Sequence, residues 1–200
     1  EQPRSRGLGD VYKRQLEGEH GMVDKRTMHE PSIRIPLIAR GPGLPAGRVV
    51  NEQVLTADVA PSILAACHAP PLADIDGRSW LGLLTGTGAP WRTEWLYEYN
   101  YEKQFPYTPN VRGIRTDRWK FIRYPHGDGT PDRHLPELYD LVQDPGELVN
   151  LAADPAHAAT RADLERRLTA LLAAHRLTTE ADRMTLDEGI KSALPDQKVR

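Results

Sequence analysis

The sequence holds one cysteine, Cys67, in 200 residues. That excludes an intrachain disulfide, and with it a small fold held by cross-links. Cys67 lies in an apolar, helix-like stretch, where a buried and inert thiol is expected. No apolar run approaches the roughly 20 residues needed to cross a bilayer. The net charge is only −2, which gives no reason to expect nucleic acid or an anionic membrane as a partner. There is no G-x-S-x-G, no P-loop, no G-x-G-x-x-G and no Cys-His constellation. Internal repeats and low-complexity tracts are also missing.

What is present is globular in character, with 39% apolar and 27% charged residues. The length suits one sizeable domain or two small ones. With 17 prolines and 16 glycines, a loop-rich α/β or α+β chain is favoured over a helical bundle. Residues 1–15, "EQPRSRGLGDVYKRQ", show no hydrophobic periodicity. Their "DVYKRQ" resembles a translated transposon-end adapter, so the segment is expected to be non-native and is set aside. A genuine basic arm is the alternative.

"IRIPLIAR", Ile33–Arg40, is β-branched and apolar and reads as a central strand, with Pro36 at a strand end or bulge. "VVNEQVLT" offers a second short strand. "ADVAPSILAA", Ala57–Ala66, reads as a helix with Thr56 as its N-cap. From Trp95 to Tyr101 aromatic residues alternate with others, the period of a strand with one aromatic face. "VRGIRTDRWKFIRY" gives two strands about a turn at Thr116-Asp117, and "PELYDL" one more, together a small antiparallel sheet. Asp154 can cap a helix that begins at Pro155. Leu164, Leu168, Leu171 and Leu172 form the stripe by which helix Ala156–His175 should cover one face of that sheet. The tail after about Arg176 is polar.

Chemistry-bearing residues gather in "GEHGMVDKRTMHEPSIRIPLIARGPG", Gly18–Gly43. Glu19, His20 and Lys25 stand just ahead of the expected central strand, and in open α/β folds function collects in loops at strand ends. A lysine there is a natural partner for an anion, as a point charge with three donors. "HGDGTPDRH", His126–His134, matches neither zinc spacing nor an EF-hand loop, so a polar connection is the expectation. The aromatic row could stack on sugar rings, but a core face is the ordinary reading.

The Gly18–Gly43 stretch closely resembles the late catalytic-domain segment of type I sulfatases: G-E-H-G, a K-R-x-x-x-E stretch, then R-x-P-L. "LTADVAPSILAACHAPPLADIDGRSWLGLL" resembles the next block, a D-x-x-P-[ST] helix followed by D-G-x-S. "VRGIRTDRWKFIRY" with "ELYDLVQDPGELVNL" resembles the C-terminal subdomain, with its R-T-x-x-[WY]-K-[FY]-I hairpin and L-Y-D-L-x-x-D-P-x-E-x-x-N-L signature. The blocks occur in family order across residues 16–175, and the branch resembled is that of N-sulphoglucosamine and N-acetylglucosamine-6-sulfate hydrolases.

The resemblance implies the end of an alkaline-phosphatase-like α/β catalytic domain over 16–91, then a small α+β subdomain over 92–176, an antiparallel sheet packed on a C-terminal helix, and a tail over 177–200. It implies sulfate ester or N-sulfate hydrolysis on a carbohydrate. Lys25 matches the lysine that contacts the sulfate. His20 matches the G-E-H-G histidine near the pocket mouth. Glu30 and Arg34 would form a bracing salt bridge. In the loop after the aromatic strand, Tyr101, Lys103, Tyr107 and Arg112 are candidate contacts to a sulfated sugar. The family also implies calcium and a formylglycine nucleophile. Cys67, followed by "HAPPL", does not match the C-x-[PA]-x-R motif from which formylglycine is made, and no metal ligand is assigned in this sequence. The remaining readings are a phosphodiesterase or phosphonate hydrolase of the same superfamily, and a non-catalytic carbohydrate-binding or structural module. Family habit places such enzymes in the periplasm, outside the cell or in lysosomes.

Overall fold

The computed structural model describes residues 16–17, 20, 23–86, 88, 90–100, 110–125 and 135–178. They fall into two units. One gathers the described residues up to Ile35 and those from Trp95 onward; the other runs Pro36–Glu94.

The first unit is built on a four-stranded sheet in the order β3 (Glu94–Tyr99), β4 (Val111–Thr116), β5 (Trp119–Arg123) and β6 (Glu137–Asp140). β4 pairs antiparallel with β5, and β5 with β6. Ile114 stands opposite Phe121, and Phe121 opposite Leu138, so three apolar side chains line up across the strands. α4 (Ala158–Ala174) lays Leu164, Leu168 and Leu172 on that row, as its i, i+4, i+8 spacing requires. The chain enters α4 through a short 3-10 turn, Pro155–His157, and the Asp154 carboxylate accepts from the Ala156 N–H at 2.9 Å.

The opposite face of the sheet is covered by the segment after Leu16. Two short strands, β1 (Leu16–Glu17) and β2 (Val23–Asp24), pair antiparallel, and α1 (Glu30–Ile33) follows. Met28 sits among Val111, Ile122 and Tyr139, with Trp95, Tyr97 and Tyr99 beside them. The aromatic row of β3 is thus half-buried against the core. Gly113 makes the fit possible, because a Cβ there would lie 2.1 Å from the Met28 sulfur and 3.0 Å from the Phe121 carbonyl oxygen.

In the second unit, a 3-10 turn Thr56–Asp58 leads into α2 (Val59–Ala66), and α3 (Leu81–Thr85) follows. Asp58 anchors it. Its carboxylate accepts from the N–H groups of Leu55 and Arg78 at 2.7 and 2.9 Å, and pairs two-pronged with the Arg92 guanidinium. Ser62 donates to the Asp58 carbonyl at 2.6 Å and accepts from the Trp80 N–H at 3.0 Å. A Cβ on Gly77 would lie 2.0 Å from the Ala57 carbonyl oxygen. The D-x-x-P-S and D-G-x-S motifs therefore lock one another.

Several expectations need correction. Ile33–Arg40 forms no strand. After α1 this stretch carries no regular element, with Ile38 92% exposed and Leu37 half exposed. A strand exists only beside another strand's backbone, and among the described residues none lies there. "VVNEQVLT" forms none for the same reason. Thr56 starts the 3-10 turn rather than capping α2; Asp58 holds that entrance. Cys67 is exposed at the end of α2, not buried. Residues 16–35 pack on the C-terminal sheet, where Met28 and Glu30 insert.

Candidate functional site

The candidate site lies where the β1–β2 ribbon meets the sheet. Leu16 is fully buried and pins the ribbon, and His20 sits between its strands. Lys25 follows β2 directly and is exposed. Its backbone carbonyl accepts the Ser32 hydroxyl at 2.6 Å, which ties the turn to α1.

His20 has a backbone φ of 56°, in the left-handed region that costs a non-glycine residue energy unless its surroundings hold it. Its ring stacks on that of His29 at 4.0 Å and lies edge-on to Tyr139 at 6.3 Å. Burial and the neighbouring His29 lower the His20 pKa below 6.5, against the raising influence of Glu147 and Glu137.

Beneath the pair lies Glu137. Its carboxylate takes His29 Nε2 at 3.0 Å, the Tyr139 hydroxyl at 2.7 Å and the Tyr124 hydroxyl. Burial alone would raise this carboxyl, but hydrogen bonds from His29, Tyr124 and Tyr139 hold it below the usual range. Burial, and then the Glu137 charge, push both phenols up.

A second set of charges joins α1 to the sheet. Lys120, fully buried, meets the carboxylates of Glu147 and Glu30. Glu30 also accepts from Arg115 Nε at 2.9 Å, and its backbone N–H donates to Glu147 at 2.6 Å. Burial would raise the Glu30 carboxyl; Arg115 and Lys120 outweigh it and bring it down to about 2. The brace expected between Glu30 and Arg34 is thus made instead with Arg115 and Lys120, while Arg34 is exposed. Buried ion pairs of this kind hold geometry more surely than they add net stability.

The remaining expected contacts divide. Arg112 is not at a surface. It is fully buried, and its guanidinium donates to the Tyr99 and Val111 carbonyls at 3.0 and 2.9 Å. Tyr101, Lys103 and Tyr107 lie outside the described residues, as does the loop His126–His134. Sequence reasoning assigns no site role to His29 or Glu137. An acid two residues before a tyrosine, at the head of an apolar strand, was the available signal.

Among the described residues, no three His, Cys, Asp or Glu side chains could hold a metal ion together. Glu30 and Glu147 are engaged by Lys120, and Glu137 by three donors. Calcium does not fit this set. Nor does a formylglycine nucleophile fit Cys67, which is exposed and outside the required motif.

The family model for the C-terminal part of N-sulphoglucosamine sulphohydrolase matches residues 18–174. Arylsulfatase K of Canis lupus familiaris is 33% identical over 148 residues, which covers 69% of this chain and 26% of that protein. The N-acetylglucosamine-6-O-sulfatase of Bacteroides thetaiotaomicron is 34% identical over 158 residues, 76% of this chain and 27% of that one. The chain therefore spans about a quarter of the length of these relatives. The solved structure of BT4656 with its substrate D-glucosamine-2-N,6-O-disulfate superposes with a TM-score of 0.69 at 30% identity, over 87% of this chain and 34% of that one. The phosphonate monoester hydrolase of Agrobacterium radiobacter gives 0.63 at 30% identity, over 80% and 33%. With its motifs in family order and a match over most of its length, the chain belongs to the N-sulphoglucosamine sulphohydrolase C-terminal family of sulfatases, whose fold is alkaline-phosphatase-like.

Proposed function

We propose that this chain is the late portion of a sulfatase that hydrolyses sulfate esters or N-sulfates of a carbohydrate. Lys25 faces the sulfate and His20 meets the substrate beside it. The observation that carries this reading is the exposed Lys25 at the end of a ribbon pinned to a rigid, ion-paired sheet. Cleavage of a sulfate ester moves negative charge onto the leaving oxygen and the transferring group. A cation already fixed there stabilises that charge without reorganising. The reading assigns neither calcium nor a formylglycine nucleophile to any residue of this sequence. The 200-residue polypeptide alone is therefore expected to turn over no sulfate ester. Export to the periplasm, the exterior or a lysosome belongs to the same proposal.

The test begins with the source DNA upstream of Leu16. An in-frame C-x-P-x-R motif with acidic metal ligands supports the reading. A start codon directly before "DVYKRQ" as genuine coding sequence overturns it and favours a binding or structural module. In the enzyme expressed from the longer frame, Lys25→Ala should lower kcat/KM for a sulfated glucosamine by about 100-fold or more. Preferred turnover of a phosphonate monoester would support the phosphonate hydrolase reading, which the 0.63 superposition keeps in view.

A further inference from the structure

His29 is only 1% exposed, and its ring stacks on that of His20. Its backbone carbonyl accepts the Ser32 and Ile33 N–H groups at 2.8 and 3.1 Å, so α1 fixes the main chain. Its Nε2 lies 3.0 Å from the Glu137 carboxylate. Glu137 as a carboxylate can only accept, so Nε2 carries the proton of that bond. The other ring nitrogen, Nδ1, is buried and has no hydrogen-bond partner among the described residues. The ring is held by one strong contact at its edge, and its flat face is left for His20.

We propose that His29 and Glu137 are positioning residues for His20: Glu137, steadied by Tyr124 and Tyr139, orients the His29 ring, and that ring holds the His20 imidazole in place by stacking. The proposal rests on the reading of His20 as a substrate contact. It gives the C-terminal sheet an indirect part in substrate recognition, through a contact between residues 108 positions apart in the chain.

The charge argument is two-sided. Among the described residues, the groups that act on His20 are His29, Glu147, Glu137 and Lys120, with the Tyr139 ring beside it. His29 and Lys120 disfavour a proton on His20; the two carboxylates favour it; burial disfavours it. The outcome is a midpoint below 6.5. At neutral pH His20 then offers one donor and one acceptor, which suits a hydroxyl-rich ring. A second cation there would compete with Lys25 for the sulfate.

The experiment is an NMR titration of the His20 imidazole in the full chain, in wild type and two variants. His29→Phe keeps a flat partner and removes the ring that can carry charge. The His20 midpoint should rise, while its ring-current shift persists. Glu137→Gln keeps an acceptor and removes the negative charge. The midpoint should fall further below that of wild type. Opposite movements are the signature, since simple loosening of the segment would bring both variants to about 6.5. Identical midpoints in all three proteins, or convergence of both variants on the ordinary value, overturn the positioning role. The substrate reading is tested separately: in the complete sulfatase, His20→Ala should raise KM for a sulfated sugar. An unchanged KM would overturn that reading even if the midpoints move as stated.

Discussion

One missing Cβ decides how the leading segment meets the sheet. Gly113 faces the Met28 sulfur, and both are enclosed. Gly113→Ala should cost about 1–3 kcal/mol by overpacking, read from urea unfolding. The cost should fall clearly in a Met28→Ala background, because that change removes the clash. Lys120 gives a sharper case. Lys120→Met strands the Glu147 carboxylate in the interior and leaves Glu30 with Arg115 alone, and breaking such a buried pair costs about 3–5 kcal/mol. Adding Glu147→Gln should restore part of the loss by removing one stranded charge. Lys25 differs from both. It is exposed, so Lys25→Ala should leave stability within about 0.5 kcal/mol while removing the proposed sulfate contact. That split between stability and activity separates a residue kept for function from one kept for the fold.

At the scale of elements, the family's motifs turn out to be mostly joints. In L-Y-D-L-x-x-D-P-x-E-x-x-N-L, Asp140 holds Arg118, Glu147 holds Lys120, and the Asn150 side chain accepts the Leu138 and Ala152 N–H groups at 3.1 and 2.9 Å. Asp58 plays the same part before α2. Asp58→Ala would leave the Leu55 and Arg78 N–H groups without this acceptor and the Arg92 guanidinium with the Gln53 carbonyl; these bonds are half-buried, so each lost partner should cost about 1 kcal/mol. Hydrogen exchange should quicken at Leu55, Arg78 and Trp80 and stay unchanged in β4 and β5; uniform protection across both regions would refute the joint. These elements were legible to different degrees. α4 was readable because its leucine stripe is a local pattern, and the β4–β5 hairpin because its turn lies between two β-rich runs. Ile33–Arg40 was misread, since β-branched residues declare a preference for strand but cannot supply a neighbour. Of the site, Lys25 and His20 were marked by their place ahead of the expected strand, and family resemblance gave them their roles. The His29–Glu137 contact could not, because nothing local in either stretch points to a partner so far along the chain.

At the scale of the molecule, the two units differ in what they enclose. The first buries Ile114, Phe121, Leu138 and three leucines of α4; the second leaves Leu37, Ile38, Val49 and Ile63 exposed. The first also buries the charges that make its stability depend on pH. Glu30 is held at about 2 against an ordinary 4.5, and Glu137 and Asp140 are likewise lowered. For a carboxyl lowered on folding, the unfolded chain binds more protons, so the stabilisation is complete above the ordinary value and is lost as pH falls through the folded one. His20, also lowered, acts earlier: below 6.5 the unfolded imidazole gains a proton that the folded one resists. The urea midpoint should therefore decline gently as pH drops below 6.5, then steeply between 4.5 and 2. His20→Ala should flatten the first decline alone. Glu30→Gln should lower stability at neutral pH, where the lost charge matters most, and shallow the second decline, because the proton that drives it no longer has a site. If both variants followed the wild-type slope throughout, the ion pairs under His20 would not be the source of acid sensitivity, and the rigid platform assigned to them would lose its energetic basis.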